Sequence, residues 1–188
     1  KDHYTTARDL SLLAKAIIND HPEDYPMYAE KEFTYNEIRQ PNRNSLLWQD
    51  DSVDGIKTGH TKEAGYCLVS SAIKDGMRLI SVVMGTESEK ARSSESQKLI
   101  TYGFRFFETV KSYDAKQELL ESDIWKGSAN TLKLGTEEAI WLTIPRGSAG
   151  SITTDLEVPE LLEAPITEGE KIGTIKLTLN NETVATKP

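Results

Sequence analysis

An ammonium, a hydroxyl and a residue without a side chain stand in a row at Lys57-Thr58-Gly59, within the run Asp54-Gly55-Ile56-Lys57-Thr58-Gly59-His60-Thr61, and Ala64-Gly65-Tyr66 follows closely. On a strand, such a row could line a substrate cleft. Lysine supplies positive potential and a proton-transfer contact, threonine can hold a carboxylate, and glycine leaves the strand edge clear for a substrate lying along it. Taken alone, the tripeptide is equally a lysine at an exposed strand end followed by a turn. Other chemistries find less support. His3, His21 and His60 share no ligand spacing and have no acidic cluster beside them, so no metal is expected. No G-x-S-x-G elbow occurs, and Ser93-Ser94-Glu95-Ser96 reads as a helix start. Neither a phosphate loop nor G-x-G-x-x-G is present, and no cofactor is expected.

The 188 residues, 37% apolar and 28% charged, suffice for one ordinary domain or two small ones with real cores. The longest apolar runs, such as 139–144, are far short of the roughly 20 residues of a bilayer span. Twenty-two basic against thirty acidic side chains give a net charge of −8, which repels a phosphate backbone and argues against nucleic acid as a partner. A lone cysteine, Cys67, excludes an intrachain disulfide and reads as a buried strand residue. The opening Lys1-Asp2-His3-Tyr4 has neither an initiator Met nor a signal segment, which suggests a processed or cloned fragment.

These side chains need elements to position them. Thr6 and Asp9 form a variant capping box ahead of Leu10, Leu13, Ala14, Ile17 and Ile18, predicting a helix that ends near His21-Pro22. The stretch 25–48 lacks a clean period, with a short strand at Phe33-Thr34-Tyr35. Residues 52–59 follow a turn-prone Asp50-Asp51, and 66–73 with 77–84 flank Lys74-Asp75-Gly76 as a hairpin. A second helix is expected over 93–110, from Leu99, Ile100, Phe106, Phe107 and Val110. After about residue 108 the chain turns to short β-type runs, including 131–134, 140–144 and 172–179. The expected fold class is α/β, an antiparallel sheet with helices over 1–107, followed by a small all-β domain over 108–188. The first part holds 14 basic and 16 acidic residues, net −2, and the second 8 and 14, net −6.

The stretch Val53 to Tyr66 reads V-D-G-I-K-T-G-H-T-x-x-A-G-Y, joined by R-x-x-L-L-W at Arg43 to Trp48, G-F-R-F-F-E at Gly103 to Glu108 and Y-T-T-A-R-D at Tyr4 to Asp9. With the β-rich tail, this closely resembles the low-molecular-mass penicillin-binding proteins of the 5 and 6 type, the D-alanyl-D-alanine carboxypeptidases of peptidase family S11, over essentially the whole chain. The family's S-x-x-K and S-x-N motifs lie upstream of the helix that begins near Thr6, and no copy of the right kind occurs here. The resemblance therefore implies the carboxy-terminal half of a catalytic domain plus a second domain, with the nucleophile in an upstream partner segment.

Carried over residue by residue, Lys57 would assist proton transfer, and the backbone N–H of His60 would form half of an oxyanion hole. Thr58 and Gly59 would line the substrate strand. Arg92 would pair with the terminal D-alanine carboxylate, although Ala91 replaces the family's usual preceding glycine, and Arg43 would support the cleft edge. The implied ligands are a peptidoglycan stem peptide ending in D-Ala-D-Ala and β-lactam antibiotics. The implied setting is cell-wall metabolism in the periplasm, at the inner membrane through a carboxy-terminal helix that the chain does not contain. Without it, the chain as it stands would be soluble. Two rivals share these features: a noncatalytic spacer or interaction module, and a serine β-lactamase. The H-T-x-x-A-G-Y continuation and the second β domain argue against the β-lactamase.

Overall fold

The Asp9 amide donates to the Thr6 hydroxyl and the Thr6 amide to the Asp9 carboxylate, both at 3.1 Å, so the reciprocal cap read from the sequence starts helix α1, Ala7–Asp20. The structure is a computed structural model describing residues 4–188, and it divides into two compact units, the first ending at Phe106 and the second starting at Phe107.

In the first unit α1 leads into a 3-10 helix, Tyr25–Ala29, and a hairpin of β1, Glu32–Tyr35, with β2, Ile38–Pro41. The short helix α2, Leu46–Gln49, precedes the strands β3, Val53–Thr61, β4, Gly65–Lys74, and β5, Met77–Thr86. These three form an antiparallel sheet in the order β3-β4-β5. Asp75 and Gly76, both at positive φ, make the two-residue turn between β4 and β5. Strand alternation gives the sheet two apolar faces. Leu68 and Ala72 join Leu46, Leu47, Val53 and Ile100, with Phe104 packed against them. Val69 and Ile80 pack against Ala14, Tyr25 and Ile56, along with Ile17 and Ile18 of α1. Burial of each large aliphatic chain here contributes about 1.5–3 kcal/mol.

Helix α3 runs Glu89–Phe106, four residues earlier at each end than the sequence pattern suggests. Its start is set by Ser88, whose hydroxyl accepts the Ala91 amide at 3.1 Å, and not by the serines at 93–96. Its expected last turn belongs instead to a strand, because residues from Phe107 onward pair with another strand.

The second unit is β-rich, with β6, Phe107–Tyr113, β7, Glu118–Trp125, β8, Thr131–Gly135, β9, Ile140–Pro145, β10, Ile152–Glu157, β11, Leu162–Glu163, β12, Thr174–Leu179, and β13, Glu182–Lys187. They pair as β6-β9, β11-β7-β8 and β10-β12-β13, antiparallel except for the short parallel contact of β11 with β7. Ile140, Leu142 and Ile144 alternate inward on β9 and meet Ile175, Leu177 and Leu179 of β12. The fold is thus helices and antiparallel sheet followed by a small β domain, as the sequence predicts.

Candidate active site

Strand β3 is an edge strand of its sheet, and its exposure changes partway along. Val53, Gly55 and Ile56 are buried; Lys57, Gly59 and His60 are exposed and Thr58 is half-buried. The Lys57 ammonium donates to the neighbouring Thr58 carbonyl at 2.6 Å. Gly59 faces open space, with no atom within 4 Å of where a Cβ would stand. An edge strand leaves alternate backbone groups facing away from its neighbour, a ready platform for an extended peptide. Gly65 ends the turn from β3 into β4 at φ +64, and a Cβ there would come within 3.0 Å of the Gly85 backbone. Both constraints select glycine in the Ala64-Gly65-Tyr66 string.

Register places His60 opposite Tyr66 and Gly59 opposite Cys67. The His60 and Tyr66 rings lie 4.0 Å apart between centroids, and the Arg92 guanidinium sits 5.6 Å from the Tyr66 ring centroid. Arg92 is only 2% exposed, the largest fully buried side chain. Its Nη2 donates to the Arg43 carbonyl at 3.3 Å and lies 3.5 Å from the Glu89 carboxylate, while Nε has no hydrogen-bond partner among the described residues. Glu95 pairs with Lys98 instead. His60 and Arg92 are thus brought together through Tyr66, and Arg43, itself exposed, meets Arg92 through its backbone.

Sequence reading missed the residues that hold β3 in place. Asn44, 1% exposed, donates to the Gly55 carbonyl at 3.0 Å and accepts the Leu46 amide at 3.2 Å, tying the α2 entry to β3. Asp54 accepts the Tyr25 hydroxyl at 2.9 Å and Arg78 Nη1 at 2.7 and 2.9 Å; Arg78 also donates to Ser71 at 2.6 Å. The Arg78 guanidinium lies 5.3 Å from the Tyr25 ring centroid. The 3-10 helix and all three strands therefore meet at Asp54, three positions ahead of Lys57. Only the Asp54 carboxylate, next to a glycine in the motif, hinted at this in the sequence. On the opposite flank, burial acts to raise the Asp50 carboxyl, but hydrogen bonds from Ser52 and Gln97 outweigh it and hold Asp50 below the usual range.

Burial first, with the Asp54 hydrogen bond and charge added, pushes the Tyr25 phenol up to about 12. A phenol raised in the folded state contributes stability that is full below its unfolded value near 10 and lost as pH rises towards 12. Denaturant unfolding should therefore show a loss of about 2 kcal/mol across that window, with the Tyr25 part of the slope absent in Tyr25→Phe. An unchanged slope in the variant would remove Tyr25 from this role.

The chain does contain one Ser-x-x-Lys string, Ser71-Ala72-Ile73-Lys74, and one Ser-x-Asn string, Ser128-Ala129-Asn130. The first lies on β4, where alternation points i and i+3 to opposite faces; Ser71 is buried under Arg78 while Lys74 is exposed. The second is in the exposed turn between β7 and β8. The Ser71 hydroxyl is taken up by Arg78 on the sheet, so the first string does not present a free serine–lysine pair. Cys67 lies on β4 but is half-buried, not buried, because it stands beside side-chain-free Gly59 on the exposed part of the sheet. His21 caps the C-terminus of α1, and His3 lies outside the described residues. Among the described residues no group of His, Cys, Asp and Glu could hold a metal, and no helix is long and apolar enough to cross a membrane.

Known proteins match the chain along both units. Residues 1–88 match the D-alanyl-D-alanine carboxypeptidase family, and residues 107–188 match the C-terminal domain of penicillin-binding protein 5. The D-alanyl-D-alanine carboxypeptidase DacC of Escherichia coli K12 is 46% identical over 187 residues, 98% of this chain and 47% of that protein. Penicillin-binding protein 5 from Haemophilus influenzae superposes with a TM-score of 0.90 at 43% identity, covering 99% of this chain and 55% of that one. Penicillin-binding protein D2 of Listeria monocytogenes, in its ampicillin-bound form, matches at 33% identity and a TM-score of 0.51 over 55% of this chain and 44% of that one. The chain spans about half the length of the relatives it matches. These matches place the first unit in the D-alanyl-D-alanine carboxypeptidase family and the second with the C-terminal domain of penicillin-binding protein 5.

Proposed function

We propose that the chain supplies the Lys-Thr-Gly side of an acyl-serine site in a D-alanyl-D-alanine carboxypeptidase, with the nucleophile in a segment outside these 188 residues. The observation that carries this is the exposed half of β3, where Lys57, Thr58, Gly59 and His60 lie on a sheet edge and His60 is joined to Arg92 through the Tyr66 ring. In this reading residues 1–107 are the carboxy-terminal half of the catalytic domain and 108–188 a separate β-rich domain. The serine hydroxyl attacks the carbonyl between the last two D-alanines of a peptidoglycan stem, its proton passes to the departing amine, and D-alanine leaves. Water then hydrolyses the acyl-serine and restores the hydroxyl.

Each group has one task. The Lys57 ammonium supplies positive potential and assists proton transfer, and Thr58 with Arg92 holds the free carboxylate of the substrate. The His60 amide contributes one oxyanion donor, Gly59 leaves the edge clear, and Arg43 orients Arg92. β-Lactams acylate the same serine and leave slowly, in keeping with the ampicillin-bound form of the related Listeria protein. The setting is the periplasmic face of the inner membrane, where the stem peptides are.

The test is made on the full-length protein, with a peptide ending in D-Ala-D-Ala and a penicillin measured in parallel. Release of free D-alanine together with slow penicillin turnover supports the reading. Rapid penicillin hydrolysis without D-alanine release would make it a β-lactamase, and neither activity would leave a spacer or interaction module.

A further inference from the structure

Tyr66 stands between the group that the proposed function assigns to the terminal carboxylate, Arg92, and the one it assigns to the scissile carbonyl, His60. Its backbone is fixed from both sides of the sheet: it is the cross-strand partner of His60 on β3 and of Thr86 on β5, and the Thr86 hydroxyl donates to its carbonyl at 2.9 Å. Its ring is fixed by a tilted stack on His60, with 4.0 Å between centroids. On it rests the guanidinium of Arg92, 5.6 Å from the ring centroid.

Arg92 needs such a platform. At 2% exposure it has left water, yet among the described residues its hydrogen bonding is thin: a contact of 3.3 Å to a backbone carbonyl, a carboxylate at 3.5 Å, and an Nε without a partner. A buried cation with so few polar partners draws a large share of its stabilisation from an aromatic face, which is worth more once water is excluded. The planar fork can receive a carboxylate only in the orientation that the ring allows. His60 and Arg92 therefore cannot reorient independently, because one ring touches both.

Resting on the carboxypeptidase reading above, we infer that Tyr66 is a positioning residue that sets specificity for a free terminal carboxylate, by fixing the Arg92 guanidinium relative to the His60 amide. The aromatic face is the agent and not the phenol oxygen, so phenylalanine can replace it and leucine cannot.

Two readouts in the full-length protein test this. The first is kcat/KM for a D-Ala-D-Ala peptide with a free carboxylate and for the same peptide as its amide. Tyr66→Leu should cost the carboxylate peptide about tenfold while sparing the amide, and Tyr66→Phe should restore the ratio. Equal losses on both peptides, no loss on either, or a selective loss that Tyr66→Phe fails to restore would each overturn the inference. The second readout needs no activity: the Arg92 Nε–H resonance should be protected from solvent exchange in the parent and in Tyr66→Phe, and lost in Tyr66→Leu. If that signal is indifferent to Tyr66, the platform is wrong whatever the kinetics. If the signal responds but no D-alanine is released by the parent protein, the carboxypeptidase reading fails and the platform stands.

Discussion

Replacing Lys57 with alanine in the full-length protein should abolish acylation by a fluorescent penicillin, slowing it at least about 1,000-fold, while leaving the unfolding midpoint unchanged. The two halves of that expectation come from different observations. Within these 188 residues Lys57 is exposed, and among the described residues its ammonium donates to the adjacent Thr58 carbonyl, so its removal opens no cavity in this part of the fold. Such surface substitutions stay within about 0.5 kcal/mol of the parent. The chemical loss is large because a positive charge poised at a strand edge acts on the transition state, where charge develops, more than on the resting complex. Stopped-flow labelling of the parent and the variant, beside thermal unfolding of both, is the measurement. Unchanged acylation would remove Lys57 from the site.

Arg92 should behave in the opposite way, affecting fold and specificity together. Arg92→Ala deletes the largest fully buried side chain, and the cavity between the α3 start and Tyr66 should cost about 2–4 kcal/mol. Arg92→Met keeps most of the volume and removes the charge, so it isolates the chemistry. In that variant kcat/KM for a peptide ending in a free carboxylate should fall about 100-fold, against a few-fold for its amide, the range expected for a lost charge-assisted pair. Equal losses on the two peptides would mean that Arg92 is structural alone. Its salt bridge to Glu89 does not alter this, because the Glu89 side chain is 68% exposed and such a pair contributes little.

What could be read in advance follows from how local each feature is. The α1 cap, the Asp75-Gly76 hairpin and the alternating strands β9 and β12 are written in short windows, and each forms where its window says. The limits of α3 are not local. Phe106, Phe107 and Val110 keep helical spacing, but pairing of Phe107–Tyr113 with β9 outcompetes that pattern. The candidate site was legible as residue types because Lys57, Thr58, Gly59 and His60 are contiguous. Its supports were not: Asn44, Tyr25 and Arg78 reach β3 from 11 to 29 positions away in sequence, and nothing in their own windows marks them. The burial of Arg92 was hidden for the same reason, since its ring partner Tyr66 lies on another element.

On the proposed reading these residues serve a serine they do not contain. The most direct measurement is the site of acylation: the full-length protein is treated with a β-lactam, digested, and the acylated peptide identified by mass. A single acyl group on a serine outside the 188 residues is expected, with labelling lost in Lys57→Ala. An acyl group on a serine of this chain, Ser71 or Ser128 included, would contradict it.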